Sequence, residues 1–120
     1  MKTILVLPLA PSTNHLFATD RHGRRYRTPE YNAWIEEAGW ALASQRPVKF
    51  DGRVSVTIEV REPPTNRHED CCNREKASLD LLVRHGVIKS DSQQHVRQVT
   101  MCWASDLTDQ IRITIRPWEE

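Results

Sequence analysis

Val54-Ser55-Val56-Thr57-Ile58-Glu59-Val60 alternates apolar and polar side chains without a break. A period of two places Val54, Val56, Ile58 and Val60 on one face and Ser55, Thr57 and Glu59 on the other, which is the pattern of a half-buried strand. Asp51-Gly52 ahead of it reads as a turn, and Pro63-Pro64-Thr65-Asn66 behind it breaks it. The segments on either side change period. Downstream, Ala77, Leu81 and Leu82 recur at helical spacing, predicting a helix from Asn73 to His85 with Gly86 at its C-terminal cap. Upstream, Thr28-Pro29-Glu30 reads as an N-cap, a proline at the first helical position and an acidic first turn. Tyr31, Trp34, Ile35, Ala38, Ala41 and Leu42 then form one apolar face, and Pro47 lies beyond the helix end.

Both ends of the chain read as strands. Thr3-Ile4-Leu5-Val6-Leu7 is short, apolar and β-branched, and it stops at Pro8. Residues 96 to 103, with Val96, Val99 and Met101, and residues 110 to 116, with Ile111, Ile113 and Ile115, give two more, with Asp106 and Asp109 in a hairpin loop between them. Residues 8 to 28 carry Pro8, Pro11, Ser12, Asn14 and Gly23 and read as one long loop, of a length that is usually functional or disordered. The predicted order is strand, helix, strand, helix, strand, strand. This describes a single small α+β domain spanning 1–120, with two helices packed on one face of a mixed sheet. No repeat, heptad or low-complexity tract interrupts it.

Composition narrows the class. A chain of 120 residues, 38% of them hydrophobic, supports one modest core. No stretch approaches the roughly 20 apolar residues of a membrane span, and the opening segment is too short for a signal-peptide core, so a cytoplasmic protein is expected. Of the three cysteines, Cys71 and Cys72 are adjacent and Cys102 stands alone, without any CxxC pair. Reduced thiols, and no zinc ribbon, follow. The net charge of +1 is uninformative, but its distribution is not. Arg21, Arg24, Arg25 and Arg27 crowd into one short run, while carboxylates gather later in the chain. A basic arm can hold phosphates and an acidic pocket can hold cations.

The chemistry-bearing stretch is Arg67-His68-Glu69-Asp70-Cys71-Cys72-Asn73-Arg74-Glu75-Lys76, followed by Asp80 and Asp91. If the second helix turns the chain back, Asp70 and Asp91 meet, and paired hard oxygen ligands suit Mg²⁺. Lys76, one turn into that helix, is then in reach of the same phosphate. The same residues also fit a plainer account. Asp70 and Asn73 are ordinary caps, and Lys76 and Asp80 are spaced for a helix-surface ion pair. Spacing alone does not separate the two.

Resemblance does. The segment Leu7-Pro8-Leu9-Ala10-Pro11-Ser12-Thr13-Asn14-His15, the run Arg24-Arg25-Tyr26-Arg27-Thr28, and Asp70-x-x-Asn73-x-x-Lys76-x-x-x-Asp80-x-Leu82-x-x-x-Gly86-Val87-Ile88-x-x-Asp91-Ser92-Gln93 together resemble the RusA family of Holliday junction resolvases over nearly the whole chain. The resemblance implies a homodimeric endonuclease, often phage- or prophage-encoded, that cuts four-way DNA junctions by paired symmetric nicks in recombination and repair. It implies Mg²⁺, with Mn²⁺ as the alternative ion, on clustered aspartates. Residue by residue, it makes Asp70 and Asp91 metal ligands and Lys76 the catalytic lysine. Asn73 opens the helix, Asp80 orients Lys76, and Asn14, Arg24, Arg25 and Arg27 contact DNA.

Two positions depart from the family pattern. Cys72 stands where an aspartate is expected, and Ser90 replaces the first of two acidic residues. A thiolate is a softer ligand than a carboxylate and suits Zn²⁺ better than Mg²⁺. An impaired site in a junction-binding protein is therefore the alternative reading, with Glu69 or Glu75 as possible substitutes. A small RNA-binding domain would need aromatics exposed on strands, and only Trp103 is so placed. Trp34 and Trp40 read as core or dimer-interface residues. For the dimer surface, the last strand with Ile111, Ile113 and Ile115 is one candidate.

Overall fold

The computed structural model describes residues 1–65 and 67–119. Six elements make one layered unit: a four-stranded sheet in the order β1-β6-β4-β5 under two helices. These are β1 (Thr3–Pro8), α1 (Pro29–Ser44), β4 (Val54–Arg61), α2 (Glu75–Arg84), β5 (Val96–Ala104) and β6 (Gln110–Pro117). A separate two-stranded ribbon, β2 (Phe17–Thr19) with β3 (Arg25–Arg27), lies within the stretch read as loop. The expected α+β class, the single domain and the mixed sheet with two helices all hold.

The alternation of apolar and polar residues from Val54 to Val60 is realised in β4. Val54, Val56, Ile58 and Val60 are fully buried, as are Ile111, Ile113 and Ile115 of β6 and Leu5 and Leu7 of β1. They meet Tyr31, Trp34, Ala38 and Leu42 of α1 and Ala77, Leu81 and Leu82 of α2 in one core. Thr28 caps α1 by accepting a hydrogen bond from the Tyr31 amide at 3.2 Å. Trp34 is buried and its indole N–H donates to the Pro8 carbonyl at 3.0 Å, so it belongs to the core. Trp40, 74% exposed, does not. Gly86 ends α2 with φ +70°, a left-handed conformation that glycine adopts without steric cost.

Four expectations need correction. The stretch 8–28 contains the β2–β3 ribbon, giving an order with two strands more than expected; its strands are three residues long and mostly exposed, so no burial period marks them. The second helix begins at Glu75 rather than Asn73, because Cys71–Arg74 forms a separate 3₁₀ turn. The last two strands are not a hairpin. β5 runs parallel to β4 on one side, whereas β6 pairs antiparallel with β4 on the other and with β1 beyond. Residues 105–109, including Asp106 and Asp109, therefore cross the end of β4. Finally, β6 lies inside the sheet with Ile111, Ile113 and Ile115 sealed, so it offers no dimer surface. Of the segment that ends β4, Pro63 to Thr65 are loop, and Asn66 lies outside the described residues.

The two sheet edges are finished differently. Along β1 the Gln45 side chain acts as a clamp: its Oε1 accepts from the Val6 amide at 2.9 Å and its Nε2 donates to the Val6 carbonyl at 2.8 Å. The Val48 amide donates to Thr3 Oγ1 at 2.9 Å on the same element. Among the described residues, nothing comparable covers the outer side of β5 between Gln98 and Trp103.

Candidate metal and DNA site

The turn carrying Asp70 is built by charge pairing. Glu69 sits between two arginines, accepting from Arg61 Nη1 at 3.1 Å and from Arg74 Nη2 at 3.0 Å. All three side chains are nearly closed to solvent, at 12%, 9% and 14% exposure. Burial alone would raise the Glu69 carboxyl, but hydrogen bonds from Arg61 and Arg74 win and hold it below the usual carboxylate range. Arg74 also donates to the Ala10 carbonyl, and Thr13 Oγ1 donates to the Asn73 carbonyl at 2.9 Å. The Pro-Ser-x-Asn segment is thereby fastened to the acidic turn. Ser12 Oγ and His15 Nδ1 share a hydrogen bond of 2.8 Å in that segment, where Asn14 is exposed. A cleft of about 620 Å³ lies between the two, lined by Ser12, His15, His68, Asp70 and Asn73 among others.

Asp70 faces outward from the turn. One carboxylate oxygen accepts from the Cys72 amide at 3.1 Å, which caps the 3₁₀ turn and fixes the side chain. Asp70, Cys71 and Cys72 each place a ligand atom within 4.8 Å of the others, a three-donor group open to solvent. Its chemistry is mixed, one carboxylate and two thiols. The neighbouring Cys71, then residual burial and Asp70, push the Cys72 thiol above its ordinary range. Within one chain these donors fit a divalent cation only in part, since Mg²⁺ prefers an all-oxygen shell. Glu69 is engaged by its arginines and is not a spare ligand, and Glu75 lies outside the three-donor group.

Lys76 and Asp80 pair at 3.6 Å on the surface of α2, both substantially exposed at 47% and 37%. Such a pair is worth only about 0–1 kcal/mol, so the ammonium is easily redirected toward an anion. Asn73 does not cap α2. It lies in the 3₁₀ turn, where its amide donates to the Asp70 carbonyl at 3.1 Å.

Asp91 is placed elsewhere. The turn bearing Asp70 is tied to Arg61, at the C-terminal end of β4. From there α2 runs back, and the loop bearing Asp91 meets the other end of β4, where the Val54 amide donates to the His95 carbonyl at 2.7 Å. Eight residues of strand separate the two ends, roughly 25 Å. The two aspartates do not meet within one chain. Ser90 Oγ, the departure from the acidic pattern, bonds His95 Nδ1 at 2.7 Å and so has a local structural task.

The basic run forms the β2–β3 ribbon. Asp20 Oδ1 accepts from the His22 and Arg24 amides at 2.8 and 2.9 Å, and Gly23 turns with φ +79°. Arg24 and Arg27 are exposed. Arg25 lies 3.9 Å over the Phe17 ring, and Phe17 meets Tyr31 edge-on at 5.8 Å. Phe17 thus anchors the ribbon to α1, with Arg25 stacked on its ring, and the exposed Arg24 and Arg27 lie toward the ribbon's tip and far end. No helix among the described residues is long and apolar enough to cross a membrane.

A protein-family model described as "Endodeoxyribonuclease RusA" matches residues 8–116. No curated protein matches the chain.

Proposed function

Because the chain belongs to the RusA endodeoxyribonuclease family, a family of Holliday junction resolvases, we propose that it resolves four-way DNA junctions by paired symmetric nicks as a homodimer, using Mg²⁺ or Mn²⁺. The observation that carries this reading is the extent of the family match. It runs from residue 8 to residue 116 and so includes the basic ribbon, the acidic turn and the Asp91 loop. The fastening of residues 10–13 to Asn73 and Arg74 supports it further, because it holds the segment that bears Asn14 beside the acidic turn.

In this reading Asp70 of one protomer and Asp91 of its partner hold the cation in the homodimer, with Cys72 as a third and poorer donor. A cation so held supplies a more acidic water and neutralises charge on the phosphate. Lys76 turns from Asp80 to the phosphate and stabilises the charge that builds on its oxygens as a water adds to phosphorus and a P–O bond to sugar breaks. Arg24 and Arg27 grip neighbouring phosphates, Asn14 contacts DNA from the adjacent turn, and Asn73 keeps the turn in shape. A protein that binds junctions but cuts them poorly is the second reading, and it is favoured by one observation, the thiol of Cys72 inside the donor group.

Cleavage of a labelled four-way junction beside a linear duplex, with Mg²⁺, Mn²⁺ or EDTA, tests both. Symmetric nicks confined to the junction and abolished by EDTA are expected; tight binding without nicks in either metal would select the second reading. Binding is expected to depend on the ribbon. Arg24→Ala with Arg27→Ala removes up to four phosphate contacts per dimer, and each is worth about 0.9 in the slope of log affinity against log salt. The slope should fall by up to about 3.6, and an unchanged slope would remove the ribbon from the DNA interface.

A further inference from the structure

We infer that the groove between α1 and the end of α2 takes an unpaired base of the bound DNA, stacked on Trp40 while Arg27 and Arg84 hold its phosphates. The inference rests on the reading of the β2–β3 ribbon as a DNA-gripping arm, and it extends that surface onto the helices.

Trp40 is the first observation. Tyr31, Trp34, Ala38 and Leu42 of α1 are buried, but Trp40 stands on the outer side of the helix with most of its indole in water. It lines a groove of about 480 Å³ together with Ile35 and Gly39 of α1 and with Arg84 and His85 from the end of α2. That is the size of an ordinary small-ligand cleft. Gly39 explains how closely the two helices approach there. A methyl group on it would stand 2.9 Å from His85 Nε2, so a side chain at this position would push the imidazole aside.

The rim identifies the occupant. Arg27, the last residue of β3, borders the groove, which is therefore continuous with the basic ribbon. Arg27 and Arg84 are both exposed, and both act on the Tyr31 hydroxyl, so the ribbon's end and the last turn of α2 converge on one spot. Lys76, Asp80 and Arg84 follow one another at four-residue spacing along one face of α2. From Lys76 to Arg84 is roughly 12 Å, so a strand held by Lys76 reaches the groove within a few nucleotides. The cations call for phosphate and the indole calls for a flat π-face, and a nucleotide offers both. A cationic track beside an aromatic platform is how single strands are gripped without sequence readout. Glu36, one turn before Trp40 on the same helix, also lines the groove and disfavours a phosphate on that wall, leaving the backbone to the arginines. Bases inside a duplex have both faces covered by their neighbours. The groove thus accepts a base only where pairing and stacking are broken, which favours branched DNA over plain duplex.

Oligo(dT) and a four-way junction carrying 2-aminopurine at single positions near the branch test the groove. Oligo(dT) should quench the tryptophan emission of the unaltered protein. Trp40→Ala should remove that quenching and weaken oligo(dT) binding about 5- to 150-fold, the range for one stacked base. Trp40→Phe, which keeps a ring, should restore most of the affinity. The slope of log affinity against log salt separates the two kinds of contact. Arg84→Ala should lower it by about 0.7, whereas Trp40→Ala should lower affinity at the same slope, because stacking carries no charge. On the junction, one 2-aminopurine position should change its emission on binding, and Trp40→Ala should abolish the change. Oligo(dT) and junction binding untouched by Trp40→Ala would overturn the inference and leave the resolvase reading standing. Failure of the unaltered protein to bind the junction at all would sink both. If Trp40→Ala instead halves the sedimenting mass, the groove is a contact between copies of the chain, and the inference falls.

Discussion

Cys72→Asp is expected to raise Mg²⁺-dependent junction cutting by on the order of 100-fold, about 2.7 kcal/mol of transition-state stabilisation. Cys72 Sγ already lies within 4.8 Å of the Asp70 ligand atom, so a carboxylate there joins the same donor group without moving the backbone. Mg²⁺ gains an oxygen ligand in place of a soft, protonated thiol, and a carboxylate is ionised at neutral pH where the raised Cys72 thiol is not. The gain should be smaller in Mn²⁺, which tolerates softer donors better. Initial nicking rates on a labelled junction, with binding measured separately, decide it. Equal rates before and after the change would mean that position 72 takes no part in holding the cation.

The second large effect concerns stability. Glu69→Gln leaves Arg61 and Arg74 without the charge they share, in a setting where all three side chains are nearly closed to solvent. Removing one partner of a buried ion network typically costs about 3–5 kcal/mol. The glutamine can still accept one hydrogen bond, so about 3 kcal/mol is expected, or roughly 10 °C in Tm for a chain this size. The pH dependence follows from the lowered Glu69 carboxyl. Its contribution is complete above the unfolded carboxylate range and is lost as pH falls through the still lower folded value. The gap between the unaltered protein and Glu69→Gln should therefore be full at pH 7 and close on acidification below about pH 4. Thermal melts across that range measure it, and a gap independent of pH would show that the loss comes from packing.

These two residues illustrate what could be read from the chain beforehand. Val54–Val60 declared its strand, and Thr28-Pro29-Glu30 its helix start, because both are local signals of period and capping. The Arg61–Glu69–Arg74 network was not legible, since it joins a strand end, a loop and a turn whose proximity depends on the folded chain. Lys76–Asp80 was legible as a pair because a helix fixes the i,i+4 distance. Asp70 and Asp91 invited the opposite error. A helix that turns the chain back suggested a meeting in space, and α2 instead carries the chain to the far end of β4. The β2–β3 ribbon escaped notice because its residues are mostly exposed and carry no burial period. The neighbours of β6 escaped because adjacent strands are ordinarily expected to pair, and here β4 intervenes.

That last arrangement bears on how the protein is made. The final strand is a central one, lying between β1 and β4 and hydrogen-bonded to both. A ribosome that has finished residues 1–109 has released β1, both helices, β4 and β5, yet these cannot be joined into one sheet. The nascent chain must carry β1 and one side of β4 unpaired until residue 117 is clear of the exit tunnel, which leaves the emerging chain dependent on shielding in the meantime. By the same token, a stop introduced just before Gln110 deletes the middle of the fold, and its product is a candidate for degradation.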